Sequence, residues 1–100
     1  MREFDIYLPS TYRDGKPVDP EKVRRIKETL VTAFGGYTHF PQKSEGAWKM
    51  GGVTFRDEVT IIRILDDGSA KFDLHSFKQE LERDLQQEAV LIVSREVHQI

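Results

Sequence analysis

Gly51-Gly52-Val53-Thr54-Phe55-Arg56-Asp57-Glu58-Val59-Thr60-Ile61-Ile62-Arg63-Ile64-Leu65 is the stretch that decides how this chain folds. Glycine supplies the positive φ that a two-residue hairpin loop requires, so Gly46 to Met50 and Val53 to Arg56 are expected to pair across Gly51-Gly52. Val59 to Leu65 is nearly continuous in apolar residues, the mark of a strand buried on a sheet. Glu58 stands at the junction of hairpin and strand. Desolvation there would hold a carboxylate in a fixed pose, whereas the plainer reading is a solvated charge flanking a strand. Asp57 beside it points to the opposite face, because neighbouring strand residues alternate.

Outward toward the amino terminus, Tyr37 to Phe40 reads as a second strand, preceded by the doublet Gly35-Gly36. Val23, Ile26, Leu30, Val31 and Phe34 follow the helical period, with Lys22, Arg24, Arg25, Lys27 and Glu28 turned outward. Asp19 is placed to cap that helix, Pro20 suits its first position, and Gly35 closes it. Glu3 to Leu8 alternates polar and apolar, putting Phe4, Ile6 and Leu8 on one face of a first strand. Pro9 ends it, and the loop Ser10 to Pro17 follows, with Asp14-Gly15 as a turn signal. Tyr12 and Arg13 in this loop are either a lid or a plain connection.

Toward the carboxyl terminus, Asp66-Asp67-Gly68 is a turn. Leu74, Phe77, Leu81 and Leu85 share one face of a second helix, capped by Asp73 or Ser76. Ala89 to Val93 is expected to be a buried strand, with the more polar Ser94 to Ile100 reaching past the core. The order is βαββαβ with a hairpin elaboration: an α+β, ferredoxin-like sandwich in which two helices cover one face of an antiparallel sheet. Phe40, Trp48, Phe55, Ile62, Ile64 and Val90 to Val93 exceed what two short helices can bury, so the bare face or the strand edges are expected to meet other subunits. The 100 residues contain no repeat or linker and read as one domain, 1–100.

Several function classes drop out on composition. Net charge is −2 with a pI near 5.9, which offers no electrostatic footprint for nucleic acid. No apolar run approaches the roughly 20 residues of a membrane span, and Met1 to Asp5 does not read as a signal peptide, so a cytoplasmic protein is expected. Zero cysteines remove disulfides, thiolate metal sites and thiol nucleophiles together. His39, His75 and His98 stand on different elements, and no metal site is expected. No serine lies in a nucleophile elbow and no phosphate loop is present, so no cofactor is expected. Trp48 is either a core or interface anchor or a pocket wall.

The pattern Gly36-Tyr37, Gly46-x-Trp48, Glu58 before a β-run and Gln86 to Val93 after the second helix resembles two groups of small proteins, over roughly Thr32 to His98. One is a family of uncharacterised bacterial domains. The other is the phage S-adenosylmethionine lyases, with a ferredoxin-like, PII-like trimeric architecture. The resemblance implies a substrate held between subunits, whose own carboxylate displaces the sulfonium to give methylthioadenosine and homoserine lactone. It maps the family's glutamate onto Glu58 and the tyrosine that partners it, with a gap of about one residue, onto Trp48, where this chain departs because an indole has no hydroxyl; Tyr37 is the available substitute. The expectation is a small homotrimer binding a nucleoside-type or anionic metabolite at a subunit boundary. Trp48 and Tyr37 would supply ring contacts, Glu58 hydrogen bonds or the catalytic carboxylate, and Arg56, Arg63 or Lys49 compensating charge. Lyase activity and a non-enzymatic protein-interaction module are the alternatives.

Overall fold

A computed structural model describes all residues, 1–100. The elements are β1 (Arg2–Pro9), α1 (Pro20–Phe34), β2 (Thr38–Met50), β3 (Val53–Asp66), α2 (Leu74–Asp84) and β4 (Ile92–Glu96). They form one antiparallel sheet in the order β2-β3-β1-β4, the ferredoxin-like plait of an α+β protein.

Local chemistry sets the helix ends. The Asp19 carboxylate accepts the Glu21 N–H at 2.9 Å, Pro20 follows it, and Gly35 closes α1 with φ of 86° while donating to the Val31 carbonyl. At α2 the cap is Asp73, which accepts the Ser76 N–H at 3.1 Å and the Ser76 hydroxyl at 2.7 Å. The helices cover the sheet face presented by Ile6 and Leu8 of β1 and Ile62 and Ile64 of β3, with Ile6 directly opposite Ile62. Ile26, Leu30, Phe77, Leu81 and Leu85 complete that core, each buried aliphatic or aromatic side chain contributing about 1.5–3 kcal/mol. Phe34, Phe72 and Phe77 extend it through two edge-to-face contacts at 5.4 and 5.3 Å.

Three strands differ from their expected limits, β2 and β3 by running on. The segments Tyr37 to Phe40 and Gly46 to Met50 belong to one strand of 13 residues, and Val53 to Arg56 joins Val59 to Leu65 in one of 14. Pro41 does not end β2 because β2 is an edge strand, where a missing N–H is harmless, and a register shift between Phe40 and Ser44 absorbs it. The charges Asp57 and Glu58 leave pairing intact, opposite Gly46 and Glu45. The hairpin is thus the far half of β2 and β3 themselves, turned at Gly51 and Gly52 with φ of 57° and 83°.

The last strand begins later than Ala89. Val90 is buried but Leu91 is half exposed, and the Val90 N–H goes to the Glu82 carboxylate at 2.9 Å instead of to a strand neighbour. Ladder pairing starts at Ile92, opposite Ile6, and takes in the polar Ser94 to Glu96.

On the uncovered face, Asp5 is a buried carboxylate held by Arg63 at 2.8 and 3.1 Å and by Arg95 at 3.3 Å, with Glu3 bridging both arginines. The Arg63 hydrogen bonds pull the Asp5 carboxyl below its ordinary value. A lowered carboxylate adds stability above the unfolded value near 3.8 and loses it as pH falls through the folded one. Asp5→Asn should therefore cost about 1.5–3 kcal/mol at neutral pH and flatten the acid limb of the stability profile below pH 3.8. Denaturant melts of both proteins across that range check it; an unchanged neutral-pH midpoint would contradict the assignment.

Candidate functional site

β1 ends at Pro9, opposite Val59, so Val53 to Glu58 of β3 pair with β2 alone and leave a free edge. Two connections run past that edge. The loop after β1 is tied to it by the Ser10 N–H and hydroxyl, which donate to the Glu58 carbonyl at 2.9 and 3.0 Å. The segment between α2 and β4 is tied to the loop by Gln87, whose side-chain amide donates to the Thr11 and Leu85 carbonyls at 3.2 and 2.9 Å, and by an Arg13–Glu88 ion pair. Tyr12 and Arg13, a lid or a plain connection by sequence, line the space between loop and hairpin.

Two adjoining grooves result. One, of about 570 Å³, lies along the free edge and includes Tyr12, Arg13, Phe55 and Arg56. The other, of about 370 Å³, lies on the uncovered sheet face and includes Tyr7, Val59, Ile61 and Leu91. Trp48, Asp57, Gln87 and Ala89 line both.

Strand alternation builds the shared wall. Trp48 pairs with Phe55 and Gly46 with Asp57, so all four positions face the same way. The half-buried indole leans over Gly46: a Cβ there would stand 3.7 Å from its Cζ3. Asp57, directly across from Gly46, is partly buried and makes neither an ion pair nor a hydrogen bond; burial alone pushes its carboxyl above the ordinary value of 3.8. The neighbouring arginines are already engaged, Arg13 with Glu88 and Arg56 with Glu45 at 3.9 Å.

Of the residues singled out from sequence, Trp48 and Arg56 line these grooves. Glu58 and Lys49 occupy the alternate positions on β3 and β2, across the hairpin from Trp48, and Glu58 is half exposed and paired with Lys43 at 3.7 Å. Tyr37 stands just before β2, beneath the Lys27 ammonium, which lies 5.6 Å from its ring centroid. Arg63 is six positions from Asp57, roughly 20 Å along the strand, where it binds Asp5 and lies over Phe40 at 5.0 Å. The carboxylate beside Trp48 is therefore Asp57. The signal for it was present: once β3 is continuous, Phe55, Asp57, Val59 and Ile61 share a face. No three His, Asp or Glu side chains come together as a metal-ligand set.

No protein-family model matches this sequence, and no curated protein does either. Among solved structures, the chain is similar to a phage SAM lyase in complex with S-methyl-5'-thioadenosine, at a TM-score of 0.62 and 19% identity, over 95% of this chain and 80% of that one. It is likewise similar to a phage SAM lyase in the apo state, at 0.61 and 20% identity, over 94% and 78%. At this identity the likeness is one of fold.

Because the fold raises the Asp57 carboxyl, it favours the protonated form; stability falls as pH climbs from 3.8 through the folded value and stays reduced above it. Asp57→Asn should thus raise the unfolding midpoint of the ligand-free protein at pH 7 by a few degrees and leave it unchanged near pH 3. Calorimetry at the two pH values tests this, and a lower midpoint for the variant at pH 7 would contradict it.

Proposed function

We propose that this chain forms a small homo-oligomer, a trimer, that binds an adenosine-type metabolite in the grooves around Trp48 and Asp57, with a neighbouring copy closing them. The observation that carries this reading is the shared wall: the chain's only tryptophan and an unpaired carboxylate face the same space at the free edge of β3. The volumes, about 570 and 370 Å³, suit a nucleoside-sized ligand. A purine stacks on the Trp48 indole, and Asp57 accepts hydrogen bonds from a ribose. S-methyl-5'-thioadenosine, the ligand of a structure with this fold, is an adenosine thioether of that kind.

The oligomer is supported by where apolar surface is left. Phe40, Met50, Val53, Phe55, Leu65 and Leu91 are exposed; the strand register puts the first five on the face the helices leave bare, and Leu91 lines the groove on that face. In such an assembly Glu58, Lys49, Tyr37 and Arg63 act on the ligand from a neighbouring copy, since within one chain they stand apart from the groove. No helix is long and apolar enough to cross a membrane.

The fold likeness favours a second, catalytic reading, S-adenosylmethionine lyase activity. The carboxylate oxygen of the substrate's methionine part would attack its own γ-carbon while the carbon–sulfur bond breaks toward sulfur, giving methylthioadenosine and homoserine lactone. The protein's task would be to fold the substrate into attack geometry and balance its charge, not to supply a strong base.

S-methyl-5'-thioadenosine at about a hundred times its dissociation constant should add about 2.7 kcal/mol and raise the thermal midpoint by about ten degrees; a flat response to adenosyl compounds would sink the binding reading. Glu58→Gln should weaken that binding while the fold persists, and an unchanged affinity removes Glu58 from the site. Prolonged incubation of S-adenosylmethionine with excess protein should release methylthioadenosine if the lyase reading holds, and none if it does not. Light scattering should give three chains per particle for the wild type and one for Phe55→Glu; a monomeric wild type would remove the oligomer.

A further inference from the structure

The start of β2 is held to the sheet by a short run of pairs. Thr38, His39 and Phe40 face Arg63, Ile62 and Ile61, and pairing then lapses until Ser44 meets Val59. Because β2 is an edge strand, this segment has β3 on one side and no strand on the other. The lapse, with Pro41 inside it, separates the segment from the hairpin that carries the groove wall.

The middle residue of the segment is ionisable. His39 stands opposite the core residue Ile62, so its half-buried ring turns to the helix side, with Nε2 3.1 Å from the Thr60 hydroxyl oxygen. From α1, the Lys27 ammonium comes over the ring of Tyr37, two residues before His39, at 5.6 Å from its centroid. No acid is free to balance a charged imidazole there. On α1, Glu28 is bound to Arg24; on β3, Glu58, which shares a face with Thr60, is bound to Lys43 at 3.7 Å. Burial, and after it the Lys27 charge, hold the His39 imidazole below its ordinary value of 6.5.

We infer that His39 is an acid-operated latch: its neutral ring holds the start of β2 against α1 and β3, and a proton on it releases Thr38 to Phe40 while the hairpin beyond Ser44 stays paired. A released ring escapes both burial and the Lys27 ammonium, and that relief drives the opening. The open segment takes up its proton near 6.5, the closed one only below that. The latch is therefore fully shut above pH 6.5 and opens progressively as pH falls from there to the folded value. Tyr37, next to Thr38, moves with the segment, whereas Trp48 and Asp57 lie beyond the register break and do not. The latch does not depend on the groove holding a ligand.

Amide hydrogen exchange of the intact chain from pH 7 to pH 5, corrected for the intrinsic rate at each pH, reads the opening segment by segment. Opening of Thr38 to Phe40 should rise by up to about tenfold per pH unit below 6.5, while Ala47 to Phe55 and the core around Ile62 keep their protection. In His39→Gln, which keeps a polar group beside Thr60 but does not titrate, the segment should stay shut at pH 5. Lys27→Gln should lessen the rise and bring the His39 ring titration, followed by NMR, up toward 6.5. The same pH dependence in wild type and His39→Gln overturns the inference, as does protection lost from hairpin and core together. A wild-type His39 ring that titrates at 6.5 or above overturns it too, and that reading needs no variant to fold.

Discussion

Strand β3 is a single 14-residue run whose two halves live in different surroundings, and the rest of the protein depends on that continuity. From Val59 to Asp66 it is paired on both sides, by β1 and by β2, and its Ile62 and Ile64 meet the helices. From Val53 to Glu58 it has β2 alone. Strict period-two alternation carries through both halves, so the face that turns from the core in one becomes the groove wall in the other. Core packing therefore sets the direction of Asp57 although Asp57 lies on the face turned away from the helices. A one-residue slip in the β1–β3 register would move Ile62 out of the core and turn Asp57 and Phe55 to the other side.

The uncovered face is divided along its length. Around β1, β3 and β4 it is held by an ion-pair lattice of Glu3, Asp5, Arg63 and Arg95 in which every charge has a counterpart. Toward the hairpin it becomes apolar and aromatic, with one carboxylate left over. Both acids are partly or wholly buried, yet their environments push them in opposite directions: hydrogen bonding from Arg63 lowers Asp5, and unrelieved burial raises Asp57. A paired carboxylate is a structural part. An unpaired one is a cost that a ligand can relieve.

Much of this fold was legible in the sequence because its signals are local. The Asp19-Pro20 start, the Gly35 stop, the helical period of Leu74, Phe77, Leu81 and Leu85, and the alternation of Glu3 to Leu8 each act within a few residues. What was not legible depended on neighbours far away in sequence. Pro41 ends a central strand but not an edge strand, and edge status is a property of the whole sheet. Ala89 to Leu91 looked like a buried strand by composition, but the Glu82 carboxylate holds the Val90 N–H and delays the ladder to Ile92. The candidate site inherits the same limit. A strand that began at Val59 would leave Glu58 at its threshold, whereas the unbroken strand puts Asp57 beside Trp48 and Glu58 across the hairpin.

A co-crystal structure with S-methyl-5'-thioadenosine tests the central claim most directly. The account predicts the purine stacked on the Trp48 indole, the ribose within hydrogen-bond distance of Asp57, and residues of a second copy completing the enclosure. Ligand bound away from Trp48 and Asp57, or held in the groove of an isolated monomer, would contradict it.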